Sequence, residues 1–124
     1  MRVMVFVKGT TQSENNTIPK AQLAQMMQEM ERYNDQLREA GVMIECNGLT
    51  PSSQGKRVAF DGADRRIIDG PFDRPEDLVA GYWLWEVRDM DEAVAWVKRC
   101  PNPMPGPSEI EIRALQKIEM ADLR

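Results

Sequence analysis

Gly81-Tyr82-Trp83-Leu84-Trp85-Glu86-Val87 is the strongest strand signal in the chain, with apolar and aromatic residues filling most of its positions. Side chains alternate along a strand, so Tyr82 and Leu84 point one way while Trp83, Trp85 and Val87 point the other. Both sets are apolar. Residues 2–8 repeat the pattern, with Val3, Val5 and Val7 opposed to Met4 and Phe6. A sheet covered by helices on one face usually shows water a polar second face. These two strands offer no such face.

Reading outward from Val87, Asp89 precedes Glu92 by three, a capping-box pattern that opens a helix. Met90, Ala93, Val94 and Val97 share one side of that helix, and Trp96 flanks it. The run Pro101-Asn102-Pro103-Met104-Pro105-Gly106-Pro107 cannot continue a helix and forms a stiff connector. Glu109-Ile110-Glu111-Ile112-Arg113 then alternates as a last strand, one face dry and one wet. The tail carries Leu115, Ile118, Met120 and Leu123, enough apolar surface to dock.

On the N-terminal side of the aromatic strand, Arg57-Val58-Ala59-Phe60 and Arg65-Arg66-Ile67-Ile68 flank the turn residues Asp61-Gly62-Ala63-Asp64, which predicts a hairpin. Asp69-Gly70-Pro71-Phe72 closes it with a sharp turn. Residues 73–79 suit a helical turn, with Glu76 and Asp77 near its positive end.

Farther back, Val42, Met43, Ile44 and Cys46 predict a strand broken at Asn47-Gly48. From Lys20 to Ala40, Leu23, Met26, Met27, Met30, Tyr33 and Leu37 recur at three- and four-residue steps, one stripe on a helix of about 20 residues. Pro19 suits its first turn and Gly41 its C-terminal cap. Each buried stripe residue contributes roughly 1.5–3 kcal/mol as an upper bound. The Met-rich stripe is expected in the core, the other reading being an adaptable binding face. Residues 9–16 are polar and aperiodic, and read as a loop.

The order is strand, helix, strand, inserted hairpin, strand, helix, strand. Without the hairpin this is a ferredoxin-like α+β arrangement, βαββαβ, with two helices on one face of an antiparallel sheet. The whole chain, 1–124, reads as one domain, since its length is ordinary for one. The apolar second face then needs cover, because monomers rarely expose such a patch. One solution is a homodimer whose sheets pack face to face, burying on the order of 1,200–2,000 Å². The other is the chain's own hairpin and tail.

Composition narrows the chemistry. The 124 residues contain no histidine, which excludes a His general base, a Ser-His-Asp triad and His-ligated metals. Two cysteines cannot build a four-thiolate zinc site or a disulfide framework. No metal and no cofactor is expected. Twenty acidic against sixteen basic residues leave a net charge of −4, so direct nucleic-acid binding is not expected. No run reaches the roughly 20 apolar residues of a membrane span, and no signal-peptide core is present. A cytoplasmic location is expected, with Cys46 and Cys100 reduced and packed as small hydrophobes.

Asp69 is the carboxylate with the most apolar surroundings. At a partly buried sheet edge its pKa would rise, making it a candidate proton donor or acceptor, while the plainer reading has it accepting backbone N–H bonds of its own turn. Tyr82, Trp83 and Trp85 are either the wall of a ligand pocket or dimer core. Glu45, acidic in an apolar strand, is a candidate for the same cavity. Arg57, Arg65 and Arg66 cluster on the hairpin and read as a solvated face.

Gly48-Leu49-Thr50-Pro51-Ser52-Ser53, the Asp69-Gly70-Pro71-Phe72 turn and the stretch Leu78–Val87 together resemble the DGPF-domain proteins of the wider YCII-like group. The likeness continues through Asp91-Glu92-Ala93, Trp96–Pro101 and Ser108–Arg113, most of the chain. It implies a ferredoxin-like fold, a dimeric α+β barrel formed through the sheets, and a bacterial cytoplasmic protein. Some members occur beside sigma-factor-like regulators of transcription. Relatives have a His–Asp pair proposed as an active site. Asp69 matches the aspartate, but the histidine has no counterpart, and Thr50 stands in the segment where many relatives carry one. Thr50 and Ser52 join Asp69, Glu45, Tyr82, Trp83 and Trp85 as candidate ligand contacts, with Asp69 the candidate catalytic group. Two functions follow: a small-molecule-binding dimer with at most weak enzymatic activity, or a non-catalytic regulatory module acting with a sigma-factor-type partner.

Overall fold

In chain order the elements are strand β1 (Arg2–Lys8), helix α1 (Thr11–Glu14), helix α2 (Lys20–Glu39), β2 (Met43–Gly48), β3 (Lys56–Asp61), β4 (Asp64–Asp69), β5 (Val79–Glu86), α3 (Met90–Lys98) and β6 (Ile110–Ala114). The computed structural model describes residues 1–123. Strands β2, β5, β1 and β6 form a four-stranded sheet in that spatial order, every neighbouring pair antiparallel. Strands β3 and β4 pair only with each other. The four-stranded order is that of two interleaved βαβ halves, β1-α2-β2 and β5-α3-β6, so the fold is ferredoxin-like α+β.

Register decides which side chains share a face. Val3 lies opposite Trp85 and Ala114, Val5 opposite Trp83 and Ile112, and Val7 opposite Ile110. Val3, Val5, Val7, Trp83 and Trp85 form the core with Tyr33, Leu37, Val42, Val87, Ala93 and Met104, and Ile110 and Ile112 pack against it. The opposite face pairs Met4 with Leu84 and Phe6 with Tyr82, all half-buried. Around this apolar centre stand Glu45, Asn47, Glu111 and Arg113. The two-sided apolar character read from β1 and β5 is therefore real, and neither α2 nor α3 lies on the second side.

Helix α2 departs from the expected core stripe. Tyr33, Asn34 and Leu37 are buried, but Leu23 and Met27 are exposed, Met27 at 65%. The cause is length. Twenty residues make a helix of about 30 Å, whereas the seven-residue strand β1 spans roughly 23 Å, so the first turns overhang the sheet. Helix α3 likewise buries Ala93 fully, while Met90 and Val94 stay exposed at its flank. The Tyr33 hydroxyl donates to the Trp96 carbonyl at 2.6 Å and ties the two long helices together.

The stretch read as a featureless loop contains α1. Its N-cap is Thr10, whose hydroxyl accepts from Ser13 N at 3.2 Å while Ser13 Oγ accepts from Thr10 N at 2.9 Å. The reciprocal pair is a capping box with serine in the usual Glu/Gln place, which hid it from the reading. Of the capping box expected at α3, the Asp89 half forms, accepting from Glu92 N at 2.9 Å, whereas Glu92 Oε1 accepts from Arg88 N at 2.7 Å instead of from Asp89 N.

Neither the hairpin nor residues 115–123 bury their apolar side chains on the open sheet. Val58 is 49% exposed, Phe60 71% and Ile67 67%, all on one face of the β3–β4 arm. Leu115, Ile118, Met120 and Leu123 are exposed as well, so the apolar side chains expected to dock the tail lie in water. At the arm's tip Gly62 takes φ 59°, which a two-residue hairpin turn requires and glycine supplies without strain.

Candidate functional site

Asp69 ends β4, directly across the hairpin from Lys56, and the two side chains form an ion pair. The carboxylate side chain is 72% exposed. Both expectations for it need correction: it is not partly buried at a sheet edge, and its partner is a lysine rather than its own turn's amides. The reason is architectural. The arm forms its own two-stranded sheet apart from the four-stranded one, which leaves Asp69 exposed.

The motif residues around Asp69 build a joint instead. Ser52 occupies a helical turn after Leu49-Thr50-Pro51, and its backbone N–H donates to Glu14 Oε1 at 3.0 Å. Its hydroxyl donates to the other oxygen of Glu14 and accepts from Phe72 N at 3.0 Å. Gly70 N donates to Gly55 O at 3.0 Å, and the Gly70–Pro71 peptide is cis. Any Cβ on Gly70 would overlap the Ser52 carbonyl, with the Ser52 carbonyl carbon at 2.7 Å. The Phe72 ring lies under the Arg57 guanidinium, 3.9 Å from its centroid. Ser52 thus holds α1, the sharp turn and the base of the arm in one place. Thr50 is exposed beside it. Glu14 was missed by sequence reasoning, since its contact with Ser52 spans 38 positions and no local pattern announces it.

A second polar group lies on the open sheet. Tyr82 donates its phenolic proton to Glu45 Oε1 at 2.6 Å, and Asn47 Nδ2 donates to Glu45 at 3.0 Å and to the Tyr82 oxygen at 3.1 Å. The bond to Glu45 holds the phenol's proton and raises its pKa above the ordinary value. Alternation along β2 and β5 places all three on one face, as Glu45 pairs with Leu84 and Asn47 with Tyr82.

Trp83 and Trp85 belong to the other face. They are buried against the helices of their own chain, so they are not dimer core. Trp83 Nε1–H donates to Asn34 Oδ1 at 2.9 Å, satisfying both buried groups. Tyr33 meets Trp83 edge-on, with centroids 6.0 Å apart and planes at 77°, and Trp85 lies 5.7 Å from Trp83. Trp85 Nε1 is buried with no hydrogen-bond partner among the described residues. Asn34 was the second residue sequence reasoning missed: it sits beside Tyr33 at the edge of the apolar stripe, where a polar side chain looks solvated.

One side of Trp83 lines a cavity of about 240 Å³, walled also by Val7, Met30, Pro103 and Met104, with Cys46 and Asn47 among its polar lining. Tyr82 also lines it, whereas Asp69, Glu45, Thr50, Ser52 and Trp85 do not. The candidate residues therefore divide among three places rather than one. Cys46 is more exposed than expected, and partial burial still pushes its thiol pKa up. Burial raises the Cys100 thiol to about 12. Both thiols are protonated at neutral pH and suit packing better than nucleophilic attack.

No helix among the described residues is long and apolar enough to cross a membrane. An uncharacterised protein of Rhizobium meliloti (strain 1021) is 21% identical over 98 residues, covering 79% of this chain and 79% of its own. The profile of the YCII-related domain matches residues 1–116, which spans every element of the sheet and both long helices. The chain belongs to the YCII-related domain family.

Proposed function

We propose that the protein is a cytoplasmic homodimer that binds a small, largely apolar molecule in the cavity beside Trp83, with at most weak enzymatic activity. The observation that carries this reading is the cavity itself. Its volume of about 240 Å³ lies just under the roughly 300–1,000 Å³ of small-molecule sites, which suits a ligand of one or two rings. Met30 and Met104 supply flexible, polarizable walls that adjust to a ligand's shape. Asn47 and the Cys46 thiol supply polar groups that fix orientation. In this reading Ser52, Gly70 and Phe72 are structural, and Asp69 acts on the arm through Lys56 rather than on a ligand.

The homodimer is supported by the open sheet. Met4, Phe6, Leu84 and Tyr82 form an apolar centre with a polar surround, the layout of an interface core and rim.

Protein-detected NMR with indole and cyclohexanol as probes tests the ligand site. Either probe should shift the signals of the Trp83 indole N–H, Cys46 and Gly81 together at millimolar concentration, and Met30→Trp should abolish the shifts by filling the cavity. Shifts that persist in Met30→Trp, or no shift from either probe in the wild type, would refute the cavity as the site.

A further inference from the structure

We infer that the β3–β4 arm is a dimer clasp: the face carrying Val58, Phe60 and Ile67 packs on a second copy of this chain. The inference rests on the sheet-to-sheet homodimer proposed above and adds to it the element that makes that dimer tight.

The first argument is area. Four strands at about 4.8 Å spacing and some seven residues long give a sheet footprint of roughly 20 by 23 Å per copy. That is about half of the ~800 Å² per partner found in stable interfaces. More surface must join, and it must be apolar to contribute strongly. The arm supplies it. Val58 and Ile67 are direct cross-strand partners, and Phe60 lies two residues along the same face. All three are exposed, and among the described residues the arm pairs with no strand of the four-stranded sheet.

The second argument is charge. Residues 56–69 hold Lys56, Arg57, Arg65 and Arg66 against Asp61, Asp64 and Asp69, a net +1 in a chain of net −4. The remainder is therefore −5, and a basic arm on an acidic body is complementary to a copy of itself. Arg65 lies on the apolar face, 4.5 Å over the Phe60 ring, and donates only to the backbone carbonyls of Gly62 and Asp64. An aromatic ring with an arginine stacked on it, free of any carboxylate among the described residues, is the composition favoured at interface hot spots. A polar ligand or nucleic acid would not call for the apolar trio, and a membrane surface would not match the acidic body.

The experiment is sedimentation equilibrium of the full chain, the double variant Phe60→Ser/Ile67→Ser, and Leu84→Lys at the centre of the open sheet. Both arm residues are exposed, so the double variant should keep the wild-type circular dichroism. The wild type should be a dimer, the arm variant should dissociate about 30-fold more readily, and Leu84→Lys should be monomeric. A wild type that is monomeric at 100-micromolar-range loading overturns the homodimer and the clasp together. A wild-type dimer that Leu84→Lys disrupts and the arm variant leaves unchanged overturns the clasp alone. Dissociation by the arm variant with none by Leu84→Lys overturns the sheet-to-sheet packing, and with it the clasp as an addition to that packing.

Discussion

Gly70→Ala is the sharpest test of how the turn after β4 is built. A methyl group on Gly70 meets backbone, not a flexible side chain: the Ser52 carbonyl oxygen overlaps it, the Ser52 carbonyl carbon lies at 2.7 Å and Gly55 O at 3.2 Å. Relief requires the turn to move away from Ser52. Two hydrogen bonds lie in its path, Gly70 N to Gly55 O and Phe72 N to Ser52 Oγ, each 3.0 Å long. Overpacking costs about 1–3 kcal/mol, and each weakened bond adds about 0.5–1.5 kcal/mol. The expected loss is about 2–6 kcal/mol, a fall in Tm of roughly 6 °C or more for a chain of this size. The assay is a thermal melt joined to hydrogen exchange of the Phe72 amide, which should lose its protection even if the main sheet survives. Gly48→Ala is the control, because nothing lies within 4 Å of the added carbon, and its change should stay within about 0.5 kcal/mol. If Gly70→Ala melts within a degree or two of wild type with Phe72 still protected, the reasoning is wrong.

Asn34→Leu removes the acceptor of the Trp83 indole N–H and leaves a buried donor unpaired, so urea denaturation should show a loss of about 1–3 kcal/mol. Asp69→Asn removes an exposed ion pair with Lys56, and melts should move by less than about 1 kcal/mol, in contrast to the effect expected of a buried carboxylate. Burial holds the Cys100 proton in the folded state up to about pH 12, whereas the unfolded thiol releases it near 9. The folded chain then binds more protons than the unfolded one above pH 9, so this contribution is intact below that value and is lost as pH rises toward 12. Tyr33, also raised by burial, adds to the decline above pH 10. Chemical denaturation at pH 8.5 and 10.5 checks it, and Cys100→Ala should flatten the slope.

Strands β1, β5 and β6 and both long helices were legible because each repeats an apolar period, whereas β2 was read from a short apolar run expected to break at Asn47-Gly48 and instead pairs with β5 through Gly48. Val3, Val5 and Val7 alternate in sequence and alternate inward in space. What was not legible depends on how far each element reaches. The same periodic logic that placed Tyr33 and Leu37 in the core placed Leu23 and Met27 there too, and failed because the helix is longer than the sheet beneath it. Val58, Phe60 and Ile67 carry a strand's alternation, yet a hairpin with no neighbour leaves them in water. Asp69 was judged by its apolar neighbours in sequence, and those neighbours turned out to be exposed or to face elsewhere. The Ser52–Glu14 and Asn34–Trp83 bonds join residues 38 and 49 positions apart, which no local pattern encodes.

The seating of α2 on the sheet has an optical consequence. Tyr33 touches Trp83 edge-on, and Trp83 lies beside Trp85, so ultraviolet energy absorbed by the phenol passes into a pair of indoles shielded from solvent. Native emission should accordingly be dominated by blue-shifted indole light with little tyrosine signal from Tyr33. Any lifting of the helix would restore the phenol's own emission and redden the indoles at once, giving the protein an intrinsic gauge of its helix-to-sheet contact without a label.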